Sequence, residues 1–471
     1  MISLTAFNMI KAGAETNTRV FTPQKIVKEM LDALPPEVWN SKTTFLDPAV
    51  KSGVYLVEIY NRLMETPELI KDFPDEQDRA KHIYKNQLFG IAIDNFCCLI
   101  AQRNLYGHIG GESNIRFIDG YINLVKNKDP RFYVDAVKKE FNNMKFDVVI
   151  GNPPYQEGKS DTNRGAKAIY NNFIEKSKQL CPKCMSFIIP AKWYSGGLGL
   201  DDFRRDMLSD YRISEIHDYP DTEDVFQDVY IMGGVCYFIW DSDKTSEICK
   251  ITTHQHGNIN TMHRPLLLDG TDTFIRSNMA SVIIQKVISN SSIFMDKYVS
   301  PLTPFGLPST EKGNIVKTSE SQIGWWVTGN DTKGGVMNYI ESYEIQKNRD
   351  YIGKHKVFVT KANDNMLNFP YKVLNKPFYG EPDTACNGSF LVVGPFENKN
   401  VCENVISYMC TKFFRFCMQQ RKYSQNTSQD TYKFVPLQDF SHPWTDEMLY
   451  KKYNLTDEEI EYIEKTIKPM T

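Results

Sequence analysis

Along the first half of the chain, short apolar runs alternate with longer stretches that carry helical spacing. Thr43-Thr44-Phe45-Leu46, Leu88 to Ile93, Asn114 to Ile118 and Phe146-Asp147-Val148-Val149-Ile150 read as strands, each running into an acidic or turn residue. Val54 to Tyr60 and about Cys97 to Tyr106 read as helices between them. An earlier helix is predicted to open at Phe21-Thr22-Pro23, with Thr22 as N-cap, Pro23 at the first helical position and Ile26, Val27, Met30, Leu31 and Leu34 on its apolar side. A helix from about Lys167 to Leu180, a strand from Met185 to Pro190, a helix near Asp201 to Ser209 and strands near Ile213 to His217 and Gly233 to Trp240 complete the series. This alternation predicts an α/β fold, a doubly wound parallel sheet whose strand ends converge on one crevice, where open sheets keep their ligands.

Beyond about residue 255 the pattern changes. Pro301 to Pro308, Gly313, Gly324, Gly329, Gly334-Gly335 and the Pro370 to Pro395 region break the chain into short, aromatic-rich pieces, which suggests a loop-rich, mixed α+β domain. The expected organisation is a domain over 1–255, a second over 256–440 and a helical segment over 441–471 in which Thr456 caps the last helix. Between residues 411 and 433, Lys412, Arg415, Arg421, Lys422 and Lys433 stand against the single acid Asp430, interleaved with Phe413, Phe414, Phe416, Gln419, Gln420, Tyr423, Gln425 and Asn426. Such cations can contact phosphates and such amides can read base edges, which makes Lys412, Arg415, Arg421 and Lys422 candidate DNA ligands. A solvated helix face followed by a polar loop accounts for the same residues.

Composition narrows the class. At 471 residues the chain exceeds one ordinary core, and 41% hydrophobic with 24% charged residues describes a soluble globular protein. No run approaches the roughly 18 apolar residues of a membrane span, and the N-terminus lacks a signal-peptide pattern. Ten scattered cysteines fit a reducing compartment, so a cytoplasmic location and no membrane partner are expected. A net charge of −3 excludes a globally basic nucleic-acid binder but not a local basic face. Cys181-Pro182-Lys183-Cys184 has zinc-knuckle spacing without a second pair, and no metal is expected. His254, His256 and His263 read as members of a polar loop.

The chemistry concentrates at two strand ends. Asn152-Pro153-Pro154-Tyr155 follows the strand ending at Ile150 and the turn residue Gly151. The Asn152 side-chain oxygen and the Pro153 carbonyl can accept both N–H bonds of a planar amine and favour the pyramidal nitrogen that attacks. Neither proline has an N–H, so this stretch joins no sheet ladder and keeps its carbonyls free. Tyr155 offers a flat face for stacking a ring, worth roughly 1–3 kcal/mol by analogy with single-strand binders. A proline turn leaving a strand is the plainer reading of the tetrapeptide alone. Asp47-Pro48-Ala49-Val50-Lys51-Ser52-Gly53, between the first strand and its helix, is a tight turn of small residues that lets backbone approach a ligand, with Asp47 able to hold a cationic or hydroxyl-bearing group.

In their order, these motifs resemble the gamma-class adenine-N6 DNA methyltransferases of restriction-modification systems, over roughly the first 240 residues and more loosely beyond. Phe21-Thr22-Pro23 stands where that family has a Phe-x-Pro or Thr-Pro element, Asp47 to Gly53 where it has Asp-Pro-Ala-Cys-Gly-Ser-Gly, and Asn152 to Tyr155 is its Asn-Pro-Pro-Tyr. The resemblance implies a Rossmann-like methyltransferase fold with a C-terminal target-recognition domain, S-adenosylmethionine as cofactor, double-stranded DNA as substrate and a separate restriction nuclease or helicase subunit as a further partner. By position, Thr22, Asp47, Pro48, Ala49 and Gly53 would line the methionine part, Asp119 would accept from the cofactor's adenine amino group, Asn152, Pro153 and Tyr155 would bind the target adenine, and Phe226 would stack on its opposite face. It implies a flipped adenine methylated by direct displacement.

Two departures bear on cofactor affinity. Val50-Lys51 replaces Cys-Gly, which requires the lysine side chain to point away from the sulfonium or toward the carboxylate. The acidic residue that grips the ribose falls on Ala92, and Asp94, two positions on and on the same side of an extended chain, is the candidate substitute. A nuclease in the same chain is not expected, since fused enzymes carry it ahead of the cofactor motifs and 20 residues precede Phe21; Glu157-Gly158-Lys159 lies inside the expected substrate loop. Methylation of a protein glutamine amide or an RNA exocyclic amine, and a DNA-recognition module without turnover, are the alternative functions.

Overall fold

The computed structural model describes residues 20–108, 112–156, 167–195, 199–227, 229–255, 257–329, 335–363, 369–422 and 425–470. The expected substrate loop from Gly158 to Gly165, Glu157 to Lys159, His256, Gly334 and Tyr423 lie outside the described residues. The chain divides into two compact units, Met1–Leu267 and Leu268–Thr471.

The first unit is built on nine strands: β1 (Phe45–Val50), β2 (Leu88–Ala92), β3 (Ile115–Phe117), β4 (Val148–Gly151), β5 (Cys184–Pro190), β6 (Ile213–Tyr219), β7 (Val235–Asp241), β8 (Ile248–Gln255) and β9 (Asn258–Pro265). They lie in the order β3-β2-β1-β4-β5-β7-β6-β8-β9. Strands β1 to β5 pair in parallel, and β1, β2, β4 and β5 are buried along their whole length, as a sheet covered on both faces requires. One face packs against α1 (Gln24–Asp32), α2 (Val54–Glu65) and α3 (Asn95–Tyr106) through a cluster that includes Val27, Leu56, Ile59, Ala101, Val50, Leu88 and Val148. Residues of the opposite parity point to the other face, where Phe89 meets Phe141 and Phe146.

The sheet is mixed rather than wholly parallel, a correction to the sequence reading. β7 runs antiparallel to both β5 and β6, and β9 returns antiparallel to β8. A parallel neighbour needs a crossover, usually a helix, and residues 220–234 hold only the 3-10 turn Thr222–Asp224 among those described. Likewise His254 lies on β8 and His263 on β9, in strands rather than a polar loop, and position 255 falls at the tip of that hairpin.

This topology places the site. β6 is parallel to β5 through two antiparallel steps, so the turns after β1, β2, β3 and β4 and the connection from β6 to β7 all emerge at one edge of the sheet. Helix α1 starts at Gln24 with Pro23 as its N-cap residue and no side-chain cap, so Thr22 does not serve as the N-cap its sequence suggests.

The second unit holds two three-stranded sheets, β11-β10-β14 and β13-β12-β15, formed by β10 (Gln322–Thr328), β11 (Gly335–Glu341), β12 (His355–Thr360), β13 (Phe378–Gly380), β14 (Thr384–Cys386) and β15 (Phe390–Phe396). Helices Asn278–Ser289, Lys399–Cys410, Lys412–Gln419, Asp446–Lys452 and Asp457–Thr466 accompany them. Thr456 caps the last helix in a capping box with Glu459. Leu449, Ile463 and Ile467 share one core with Ile283, Val405 and Phe414, so residues 441–471 are packed into this unit. No helix among the described residues is long and apolar enough to cross a membrane.

Candidate active site

Asn152 directly follows β4, and the strand tip decides its surroundings. The residue is 3% exposed. Its Nδ2 donates to the Val20 carbonyl at 3.1 Å and to Thr22 Oγ1 at 3.0 Å. A carbonyl only accepts, so the nitrogen must face Val20 and Oδ1 must point the other way. That Oδ1 is buried and has no hydrogen-bond partner among the described residues. Leaving a buried acceptor unsatisfied costs about 1–3 kcal/mol, a penalty that a ligand N–H would remove. No described residue donates to the Pro153 carbonyl either.

The neighbouring Tyr155 is buried, and its carbonyl accepts from Ile169 N at 3.2 Å. Burial pushes its phenol well above its ordinary pKa, with the adjacent Asn152 side chain acting in the opposite sense.

The C-terminal half of β1 and the turn that follows it, residues 47–53, supply the facing wall. Asp47 is 2% exposed, and its Oδ1 accepts from Ala49 N at 2.9 Å. Burial pushes its carboxyl up to about 7, opposed by the Ala49 N–H and the Lys51 ammonium. The Pro48 carbonyl accepts from Tyr121 Oη at 2.9 Å and the Ser52 carbonyl from Asn104 Nδ2 at 2.9 Å, which pin the turn from behind. Gly53 closes it at φ 77°, and a β-carbon there would stand 3.1 Å from Ala101 Cβ, so glycine answers both the backbone conformation and the packing of α2 on α3. No side chain caps α2, whose first-turn residues Val54 and Tyr55 border the cleft.

Lys51 is buried, and its Nζ donates to the Val20 carbonyl at 2.8 Å. Burial lowers its ammonium to about 8, with Asp47 acting in the opposite sense. Thr22 Oγ1 also accepts from Tyr55 Oη at 3.1 Å. Residues 20–22 thus form a strap between the β1 turn and the tip of β4. Phe21 and Thr22 of the strap, Asp47, Ala49, residues 51–55 and Asn152 line a small cleft that is partly open to solvent.

Of the residues singled out in the sequence, Thr22, Asp47, Ala49, Gly53 and Asn152 meet in this cleft, and Pro48 braces it through its carbonyl. Asp94 lies at the same sheet edge, where its Oδ1 accepts from Cys97 N at 2.7 Å as the N-cap of α3. Asp119 is exposed beyond the end of β3. Phe226 is 2% exposed and belongs to the apolar cluster of Tyr219, Val225 and Tyr237; among the described residues it makes no ring contact with Tyr155. Sequence reasoning missed Val20 and Tyr55 as members of the site. Tyr55 sits inside an apolar helical run, and nothing local marks it as the partner of Thr22.

The basic cluster requires correction. Arg415, 1% exposed, donates to the carbonyls of Thr411, Lys372, Lys468 and Cys410. Arg421 is buried against Asp272 and Asp430, Lys412 pairs with the Glu464 carboxylate, and Lys422 is buried with Nζ 3.4 Å from the Gln425 carbonyl. These cations tie the second unit together and do not present a phosphate-binding face.

A family profile described as Eco57I restriction-modification methylase matches residues 86–226, a span that includes Asn152 to Tyr155. An "uncharacterized adenine-specific methylase" of Mycoplasma pneumoniae is 34% identical to this chain, over 48% of the chain and 68% of the relative. The type II restriction enzyme and methyltransferase RM.BcgI of Heyndrickxia coagulans is 22% identical over 56% of the chain, which spans 38% of that larger protein. Among solved structures, a nuclease-deletion mutant of the Type ISP restriction-modification enzyme LlaGI, in complex with a DNA substrate mimic, superposes with a TM-score of 0.51 at 12% identity, over 88% of this chain and 46% of that one, a likeness of fold alone. The Mycoplasma relative, matched over two thirds of its length, and the profile centred on the strand-tip tetrapeptide agree with the geometry of the cleft: the chain belongs to the adenine-specific methylases of restriction-modification systems.

Proposed function

We propose that the chain transfers a methyl group from S-adenosylmethionine to N6 of an adenine flipped out of double-stranded DNA. The observation that carries this reading is the Asn152 Oδ1, buried, oriented and unpartnered at the tip of β4. An exocyclic amine supplies two N–H donors, one for Oδ1 and one for the Pro153 carbonyl. Donating both draws the nitrogen lone pair out of the ring and toward an electrophile. The face of Tyr155 would stack the base, offsetting part of the few kcal/mol needed to extrude it.

The cleft suits the cofactor. Its carboxylate and the uncapped start of α2 match the two charges of an amino-acid end, and Thr22, Asp47, Ala49 and Gly53 would hold that end. When bound, the cofactor supplies a methyl on positively charged sulfur, already activated for displacement. The protein's part is to orient the amine through Asn152 and Pro153 and to keep Asp47 as the counter-charge. The second unit is assigned target recognition, the site of action the cytoplasm, and the companion a separate restriction nuclease or helicase subunit.

Asn152→Ala tests the reading. Labelled methyl from the cofactor should appear as N6-methyladenine in unmethylated plasmid DNA with the wild type. It should be lost with the variant, while calorimetry shows cofactor binding intact. Transfer at near wild-type rate by Asn152→Ala, or label in protein or RNA instead of DNA, would refute it.

A further inference from the structure

We propose that Lys51 is a positioning residue for methyl transfer: its side chain anchors the Val20 carbonyl, and that carbonyl sets which way the Asn152 amide faces. The inference rests on the role given to Asn152 above. Lys51 and Asn152 come from the ends of adjacent strands, β1 and β4, and both donate to one oxygen, Lys51 Nζ at 2.8 Å and Asn152 Nδ2 at 3.1 Å.

The two acceptors around the Asn152 amide are not equivalent. Thr22 Oγ1 can accept from the amide nitrogen or, by turning its proton, donate to the amide oxygen, so it tolerates either orientation. The Val20 carbonyl tolerates only one, because it has no proton to give. A flipped amide would bring two oxygens together at Val20 and turn an NH₂ toward the incoming amine, donor against donor. Discrimination between the productive and the flipped amide therefore depends on the carbonyl staying in place.

Among the described residues, two side chains tether the strap besides Asn152 itself. Tyr55 holds it at Thr22, and Lys51 holds it at Val20. A lysine that is 7% exposed would ordinarily keep its charge in water, and the tether gives the buried ammonium an acceptor beside the Asp47 carboxylate. Lys51 stands where the motif this loop resembles has glycine, and its side chain is used in the tether.

The test uses the full-length protein, unmethylated plasmid DNA and labelled cofactor. Lys51→Met keeps most of the stem and removes the donors, whereas Lys51→Arg keeps a cation within reach of the carbonyl. Lys51→Met should lower kcat by about tenfold or more, with the Kd for S-adenosylhomocysteine changed by less than about threefold, and Lys51→Arg should recover most of the loss. An unchanged kcat in Lys51→Met overturns the inference. So does a Kd that weakens in step with activity, which would make Lys51 a cofactor ligand. Should Lys51→Met not fold, as judged by thermal melting, Lys51→Gln is read the same way. If the wild type does not methylate adenine at all, the proposed function itself has failed, a result distinct from any ranking of the Lys51 variants.

Discussion

A β-carbon on Gly151 would stand 2.7 Å from Asp47 Oδ1, so the last residue of β4 and the buried acid of β1 are in closer contact than any other residue at 151 permits. The two strands are parallel neighbours, with Phe45 opposite Val148, and their ends bring Asp47 and Asn152 to one cleft. Gly151→Ala should push the carboxylate off the Ala49 N–H. Overpacking of this kind costs about 1–3 kcal/mol. The expected outcome is a lower melting temperature together with cofactor affinity weakened about tenfold, measured by calorimetry; loss of stability with unchanged affinity would separate Asp47 from cofactor binding.

The raised carboxyl of Asp47 has a consequence for pH. Burial lifts it from an ordinary 3.8 to about 7. A carboxyl raised in the folded state favours folding at low pH and loses that contribution as pH climbs, here between about 4 and about 7. Lys51, lowered to about 8, acts later and in the other direction, adding stability as pH rises from about 8 toward 10.5. The stability of the wild type minus that of Asp47→Asn should therefore fall between pH 5 and pH 7.5 in urea unfolding. A difference that stays constant would mean that Asp47 is already ionised at pH 5. A cation bound beside Asp47 reverses its shift, so cofactor binding at pH 7 should release part of a proton, seen as a buffer-dependent binding enthalpy.

Tyr155 separates ring from hydroxyl. Its hydroxyl is buried without a hydrogen-bond partner among the described residues, and the proposed function assigns the base to the face of the ring. Tyr155→Phe should leave transfer within about threefold of wild type and raise stability by up to about 1 kcal/mol, because an unsatisfied buried group is removed. Tyr155→Ala should lower transfer by about tenfold or more through lost stacking. Equal loss in both variants would assign the hydroxyl a part in the chemistry.

What the sequence revealed follows from where each element is buried. Strands β2 and β4 are wholly interior and therefore read as apolar runs ending in turn residues, whereas β1, equally buried, reads as a strand only to Leu46 because Asp47-Pro48 within it looks like a turn. The direction of β7 was invisible, because an apolar run is the same read either way. β9 was missed because most of it is exposed, and Asn-Ile-Asn-Thr-Met-His reads as polar loop. At the site, Asp47 and Asn152 could be found because their chemistry lies in contiguous motifs. Thr22 was misassigned because a threonine before proline suits a helix cap as well as it suits the strap. The tether from Lys51 to Val20 joins residues 31 apart in sequence and exists only in three dimensions. Charge was the poorest guide, since a run of cations does not say whether phosphates or the chain's own carbonyls will answer it.

Arg415 provides the sharpest contrast between those two answers. Its Nε and both terminal nitrogens donate to four carbonyls, the shortest bond being 2.6 Å to Lys468, which joins the helix Lys412–Gln419 to the chain leaving the helix Asp457–Thr466. Arg415→Met would leave those carbonyls short of donors in a buried place, a loss of about 3 kcal/mol or more. A phosphate ligand behaves differently: removing one flattens the dependence of log K on log salt by about 0.9 on duplex DNA. Urea unfolding of Arg415→Met should show the large destabilisation. Filter binding to plasmid DNA over a salt series, at a temperature where the variant is folded, should show the wild-type slope. A stable variant with a flattened slope would restore Arg415 to the DNA interface and require the second unit to open around it.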